Sequence, residues 1–273
     1  LTLNQVSFHW QMNIDSDLAP FMLLREFKIF LVSLSFLTRL PVFLKEKTRT
    51  ELIPYTPRYY TFAGFFIGSA AAFVFSAASY IFPHEISVIF MLLSVILLTG
   101  AFHEDGLMDF FDGFGGGYSK KQILEIMKDP RSGSYGILAA VFSVLLKIFI
   151  LFEMKSSYII FGVLFAHMLS RFSTVSFLPW MDYARSEGKS SFLKNRMRIL
   201  EILFSLLPVI LFSAFFYSEW IFILTAFLTS YLFSALFMFY IYKKIGGYTG
   251  DCLGALQQIS EILIYAVLLV WKN

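Results

Sequence analysis

Residues 89–117 read Ile-Phe-Met-Leu-Leu-Ser-Val-Ile-Leu-Leu-Thr-Gly-Ala-Phe-His-Glu-Asp-Gly-Leu-Met-Asp-Phe-Phe-Asp-Gly-Phe-Gly-Gly-Gly, an apolar run that ends in a dense knot of acids, a histidine and glycines. If the knot is helical, Asp105, Asp109 and Asp112 stand at i, i+4 and i+7 and share one narrow face. Three carboxylates on one face repel each other unless a cation fills the space between them. Hard carboxylate oxygens suit magnesium, which keeps several waters and is usually held by one or two carboxylates plus substrate phosphates. Gly113 then ends the helix, and Gly115, Gly116 and Gly117 leave backbone amides that an anion can approach. An acid cluster beside glycines also reads as a plain solvated loop. Against that, Phe102, Leu107, Met108, Phe110 and Phe111 are interleaved with the acids, and ionisable groups at a membrane surface or inside it are costly and tend to be functional.

Working outward, the chain is 58% hydrophobic with 34 phenylalanines, against about 45–50% apolar residues in an ordinary soluble domain. A crossing needs about 20 apolar residues, and such stretches occur at 60–82, 85–102, 134–152, 157–179, 199–217, 220–242 and 255–271. The fold class is therefore all-α, a polytopic transmembrane helical bundle of about seven spans. The segment 29–37, flanked by Arg25, Lys28 and Arg39, is short and reads either as a tilted span or as a re-entrant or interfacial helix. Basic residues recur in alternate connections: Lys45, Lys47, Arg49 and Arg58; then Lys120, Lys121, Lys128 and Arg131; then Arg185, Lys189, Lys194, Arg196 and Arg198; then Lys243 and Lys244. The connections around His84 and Glu219 carry none, and the turn at Ser156 only Lys155. The positive-inside rule then puts the acidic knot in the cytoplasm.

The net charge of +3 thus reflects orientation in a bilayer and is no argument for nucleic acid. The single cysteine, Cys252, excludes an intramolecular disulfide and a cysteine zinc cage. The chain opens at Leu1 with a polar mixture before Met22. We read 1–21 as a non-native or disordered extension with Met22 as the natural start, and 22–273 as one integral membrane catalytic domain.

Three further constellations carry chemistry. Lys128 and Arg131 bracket Asp129 just ahead of Gly133 and Gly136, two cations and a helix start at the same mouth as the acids, which suits phosphate; alone, they would read as a positive-inside flank. His167 and Arg171 share a helix face at i, i+4. Arg171 lies about 12 Å up its span at about 1.5 Å per residue, where it needs a counter-charge: a phosphate, a carboxylate of the knot, or a structural ion pair. Lys147, near the far end of its span, is expected to snorkel. Finally Lys243-Lys244-Ile-Gly-Gly-Tyr-Thr-Gly-Asp-Cys-Leu-Gly254 combines glycines with Asp251, either for close helix packing or, with the nearby lysines, to line an anionic ligand.

The blocks at 36–41 (Phe-Leu-Thr-Arg-Leu-Pro), 100–113, 126–129 (Ile-Met-Lys-Asp), 133–136 (Gly-Ser-Tyr-Gly), His167 to Arg171, 183–185 (Tyr-Ala-Arg) and 246–254 run in the order seen in the cobalamin synthase family, the adenosylcobinamide-GDP ribazoletransferases, which this chain resembles from about residue 25 onward. Pro130 stands where that family commonly has Ser. The resemblance implies an inner-membrane enzyme with a cytoplasmic site and magnesium as cofactor. Its substrates would be adenosylcobinamide-GDP and alpha-ribazole or its 5'-phosphate, whose ribose hydroxyl attacks the cobinamide-side phosphorus and expels GMP. Asp105, Asp109 and Asp112 would hold magnesium, with Glu104 as a further ligand. His103 or Glu104 would take the hydroxyl proton. Lys128, Asp129, Arg131, Arg171, Arg185, Gly247, Thr249 and Asp251 would bind substrate and its phosphates. The bilayer is the other expected partner, with self-association or association with other cobalamin-pathway enzymes left open. Two rival readings are a CDP-alcohol-phosphotransferase-like enzyme, whose Ala-Arg after the Asp-Gly and longer acid gaps are missing here, and a transporter built on His167 and Arg171, whose inverted halves and broken helices are not visible.

Overall fold

The computed structural model describes the backbone of residues 14–185 and 197–272, with side chains within 22–185 and 197–271. Lys189, Lys194 and Arg196 of the basic loop, and residues 1–13 of the expected extension, lie outside the described residues. Eleven α-helices are present among the described residues: α1 (Ile14–Leu37), α2 (Glu46–Leu52), α3 (Tyr60–Ala78), α4 (His84–Thr99), α5 (Phe102–Gly116), α6 (Lys120–Ile126), α7 (Ser134–Phe152), α8 (Ser156–Val175), α9 (Ile199–Phe215), α10 (Trp220–Ile245) and α11 (Gly250–Lys272). A 3-10 turn, Ile53–Tyr59, with proline near its start and inside it, joins α2 to α3.

Five stretches are long and apolar enough to cross a bilayer: Glu46–Ala78, Ser134–Phe152, Ser156–Trp180, Tyr217–Ile245 and Gly250–Trp271. The bent pair α4 and α5 makes a sixth if counted together, while α9 is a shorter apolar helix. The stretches expected at 85–102 and 199–217 are thus covered by a broken pair and a short helix. The segment 29–37 is the end of the longer α1.

Helix α8 is the centre of the bundle. It is buried along nearly its whole C-terminal three-quarters, with α3, α9, α10 and α11 packed around it. By contrast α7 and α10 leave Phe142, Phe149, Leu232 and Leu236 at least 60% exposed, as expected for faces whose solvent is lipid. On the side away from the acidic knot, His84 ties two turns together, with one ring nitrogen 2.9 Å from Ser156 Oγ and the other 3.0 Å from the Leu151 carbonyl.

Helices α4 and α5 meet at 84°. The bend is made by Gly100 and Ala101, both left-handed, with φ of 67° and 57°. Glycine accepts this conformation freely, but alanine pays a steric cost for it. The turn aims α5 across the bundle instead of through it. There α5 packs closely on α11: the Gly106 position faces the backbone of Asp251 and Gly254, so that added β-carbons would sit 3.2–3.4 Å from those Cα atoms. This small-residue contact brings Asp105 and Asp109 of α5 to the same side as Asp251 of α11.

Candidate active site

A cavity of about 480 Å³ opens where α5, the α6–α7 connection, the 183–185 segment and the start of α11 converge. Asp105 and Asp109 enter from α5, Lys128, Asp129 and Arg131 from the connection, Tyr183 and Arg185 from the loop after α8, and Asp251 from α11. The loop is held by two backbone bonds, Tyr248 N–H to the Asp182 carbonyl (3.0 Å) and Ala184 N–H to the Tyr248 carbonyl (2.8 Å). Gly247 serves this seam, since a β-carbon there would collide with the Asp182 carbonyl. Thr249 is fully buried; its hydroxyl accepts from Cys252 N–H and donates to Asp251 Oδ2, each at 3.3 Å. Gly247 and Thr249, expected to bind substrate, are not among the residues that line the cavity; they hold the seam behind it.

The charges in the cavity are unevenly matched. Arg185 pairs with Asp251 at 2.9 Å, and its Nε is buried without a hydrogen-bond partner among the described residues. Arg131 is tied to Asp129 through Nε (2.9 Å), Nη2 (2.6 Å) and its own backbone N–H (3.0 Å). Those bonds hold the Asp129 carboxyl down at about 2. Tyr183 is pushed up, chiefly by burial, so its hydroxyl stays neutral. Lys128 and Asp105 are exposed and Asp109 is half-buried, and none of the three has an ion pair among the described residues. The charge of Asp109 meets those of Asp251, Asp105 and Asp112, with the cation Arg185 set against them.

Asp112 has a different task. Its Oδ2 accepts from Gly133 N–H at 2.7 Å and its Oδ1 from Gly136 N–H at 2.8 Å. The carboxylate thus caps the first turn of α7, satisfying two amides that a helix start leaves open and complementing its dipole. A β-carbon at either Gly133 or Gly136 would collide with that carboxylate, so both glycines are required by the cap. The carboxylate triad on one face of α5 is therefore a pair facing the cavity and a third residue engaged elsewhere. Among the described residues no group of three His, Cys, Asp or Glu side chains is gathered to hold a metal by itself. Gly136→Ala should displace the cap and lower the thermal midpoint of the detergent-purified protein, at a cost of about 1–3 kcal/mol for buried groups left unpaired; an unchanged midpoint would show that the cap carries no stability.

The remaining predicted residues lie deeper. Glu104 turns toward the bundle interior, where Gln258 donates to its Oε1 at 3.1 Å and its Oε2 is buried without a partner among the described residues. His103 and Arg171 line a neighbouring small cavity that shares only Phe102 and Gly250 with the larger one. Arg171 is 2% exposed and donates to the His167 carbonyl (3.0 Å), with its Nη1 3.1 Å from His167 Nδ1. It is enclosed within the bundle and does not line the larger cavity. Lys147 does not snorkel: it is buried and reaches Glu261 Oε1 at 2.8 Å and Gln258 Oε1 at 2.7 Å. Glu261 also meets His167 at 3.2 Å and Gln257 at 2.6 Å. The intramembrane His167 and Arg171, on which a transporter reading rested, are thus tied to each other and, through His167, to Glu261, while Arg171 Nε is buried without a hydrogen-bond partner among the described residues. Gln257, Gln258 and Glu261 were missed by sequence reasoning, although three polar residues in an apolar span were signal enough.

A family model described as cobalamin-5-phosphate synthase matches residues 29–269. This chain belongs to that family. Curated relatives of the family include the adenosylcobinamide-GDP ribazoletransferases of Shewanella amazonensis, 38% identical over 258 residues covering 91% of this chain and 98% of the relative, and of Vibrio cholerae, 35% identical over 249 residues covering 90% and 95%. The Shewanella baltica ribazoletransferase is 37% identical over 254 residues, 91% of this chain and 96% of its own. No solved structure matches.

Proposed function

We propose that this chain is an adenosylcobinamide-GDP ribazoletransferase acting at the cavity between α5 and α11. The observation that carries the reading is the meeting, in one cavity, of two carboxylates without an ion pair among the described residues, Asp105 and Asp109, with the cations Lys128 and Arg185. A ribose hydroxyl of alpha-ribazole or its 5'-phosphate would attack the cobinamide-side phosphorus of adenosylcobinamide-GDP. The new bond is ribose oxygen to phosphorus, the broken one is phosphorus to the bridging oxygen, GMP leaves with the electron pair, and the hydroxyl proton is released. Such displacements need positioning and charge neutralisation more than covalent help from the protein.

The donor set fits magnesium in its usual mode, shared between one or two carboxylates, water and substrate phosphates. Asp105 and Asp109 would hold it; when bound, the ion would draw charge from the pyrophosphate. Lys128 would meet phosphate as a point charge, and Arg185, with its free Nε, as a planar donor. Asp251 orients Arg185, and Tyr183 walls the cavity beside it.

The decisive experiment is incubation of the purified protein with adenosylcobinamide-GDP, alpha-ribazole 5'-phosphate and magnesium. We expect GMP and a cobalamin phosphate in equal amounts; absence of GMP would overturn the reading. The cavity would face the cytoplasm. Because Cys252 is buried, Ser119→Cys offers one accessible thiol in the exposed connection between α5 and α6, and an impermeant maleimide should label it only after the membrane is opened. Labelling in intact cells would reverse the topology.

A further inference from the structure

Three lysines outside the cavity form a second cationic locus. Lys243 and Lys244 end α10, and Lys120 opens α6, with its ammonium beside Gly246, the left-handed residue that caps α10; a β-carbon on that glycine would lie 3.4 Å from Lys120 Nζ. All three side chains are exposed. None has an ion pair among the described residues, whereas the adjacent Lys121 is weakly paired to Glu125 at 3.9 Å. None lines the cavity that holds Asp109 and Arg185.

What lies beneath the lysines identifies the partner. Leu232, Leu236, Phe239 and Lys243 fall at i, i+4, i+7 and i+11, one continuous stripe of α10. The first three are 64%, 61% and 57% exposed, on a helix apolar enough to span a bilayer. Lys243 Nζ sits over the Phe239 ring at 4.5 Å from its centroid, and Lys244 Nζ over the Tyr240 ring at 5.9 Å. The stripe is therefore apolar through the membrane, aromatic at its edge and cationic at its end. A soluble anion would have no use for the apolar part.

We infer that the α6–α10 corner is a binding site for an anionic phospholipid, with the acyl chain along Leu232, Leu236 and Phe239 and the headgroup phosphate held by Lys120, Lys243 and Lys244. Juxtamembrane lysines attract acidic lipid at about 1 kcal/mol each, or about fivefold in affinity. Lys243 and Lys244 lie in the last turn of α10, where cations are favoured by the helix dipole.

The test uses the full chain purified in detergent, offered an equal mixture of phosphatidylglycerol and phosphatidylcholine, with retained lipid counted by native mass spectrometry. The wild type should keep phosphatidylglycerol in preference, and the triple variant Lys120→Ser, Lys243→Ser, Lys244→Ser should lose that preference by at least tenfold while melting normally. Lys45→Ser with Lys47→Ser, at a different corner of the bundle, should leave it unchanged. Equal retention of both lipids by the wild type, or an unaltered preference in the triple variant, would overturn the assignment. Displacement of the bound lipid by millimolar inorganic phosphate would make this a soluble-anion site and overturn it too. If the triple variant fails to fold, the single Lys243→Ser variant carries the test, with an expected loss of about fivefold.

Discussion

Asp105→Asn and Asp109→Asn should each lower GMP release by about 10²–10³-fold, the scale on which losing one group that stabilises transition-state charge is felt. Both substitutions keep the size of the side chain. Neither carboxylate makes an ion pair among the described residues, and Asp109 sits among the negative charges of Asp251, Asp105 and Asp112. Removing one charge therefore relieves repulsion in the free protein, so the thermal midpoint should hold or rise as activity falls. Asp112→Asn should show the opposite pattern, because its two oxygens each accept an amide hydrogen from the start of α7 and asparagine keeps only one acceptor oxygen, its NH2 group being a donor that would face the other N–H. It should lose stability first and activity only as far as α7 shifts. Equal loss of activity without loss of stability in all three would restore the carboxylate triad, and near-normal turnover in both cavity variants would sink the proposed site.

The membrane-spanning character was legible because hydropathy is local: each stretch of about 20 apolar residues announces itself without reference to any other. The acidic knot was legible for the same reason, and it is the helix that the i, i+4, i+7 spacing implied. What the spacing could not carry was the fate of Asp112. Its partners are 21 and 24 residues away, on the next long helix, and only the folded chain brings them together. Gly133 and Gly136 read as a helix start that, beside two cations, suits phosphate; the anion that the structure places at that start is an aspartate of the protein itself. The same limit applies to Gly247 and Thr249, whose block flanks the site while the loop at 182–184 covers them.

Arg185 and Asp251, named separately from two loops, prove to be one ion pair, whereas Glu104, adjacent in sequence to Asp105, faces the other way. One residue along an α-helix is a turn of about 100°, so neighbours in a motif need not share a site. The expectation that Lys147 snorkels rested on its depth in the span, with no view of α11. Snorkelling is the cheaper course for a lysine with lipid on all sides. Here α11 supplies Glu261 and Gln258, and the ammonium stays inside.

Lys147→Met should then be among the most damaging substitutions in the chain. The Lys147 and Glu261 side chains are 8% and 2% exposed, and removal of one member of a buried pair typically costs about 3–5 kcal/mol because the other charge is left uncompensated. In a bilayer no water is at hand to soften that cost. The variant should yield little folded protein, or protein whose folded fraction in detergent is lost at a much lower temperature. Glu261→Met should be at least as harmful, since it also strips partners from His167 and Gln257. The double variant Lys147→Met, Glu261→Met removes both charges, and apolar replacements of buried pairs are often neutral or stabilising; it should recover part of the loss, the remainder reflecting the stranded His167 and glutamines. A size-exclusion melting series on the wild type, both single variants and the double variant gives the coupling directly. Strictly additive losses would show that the two charges do not depend on each other, and with that the network would fall as the device holding α7, α8 and α11 around the end of α5.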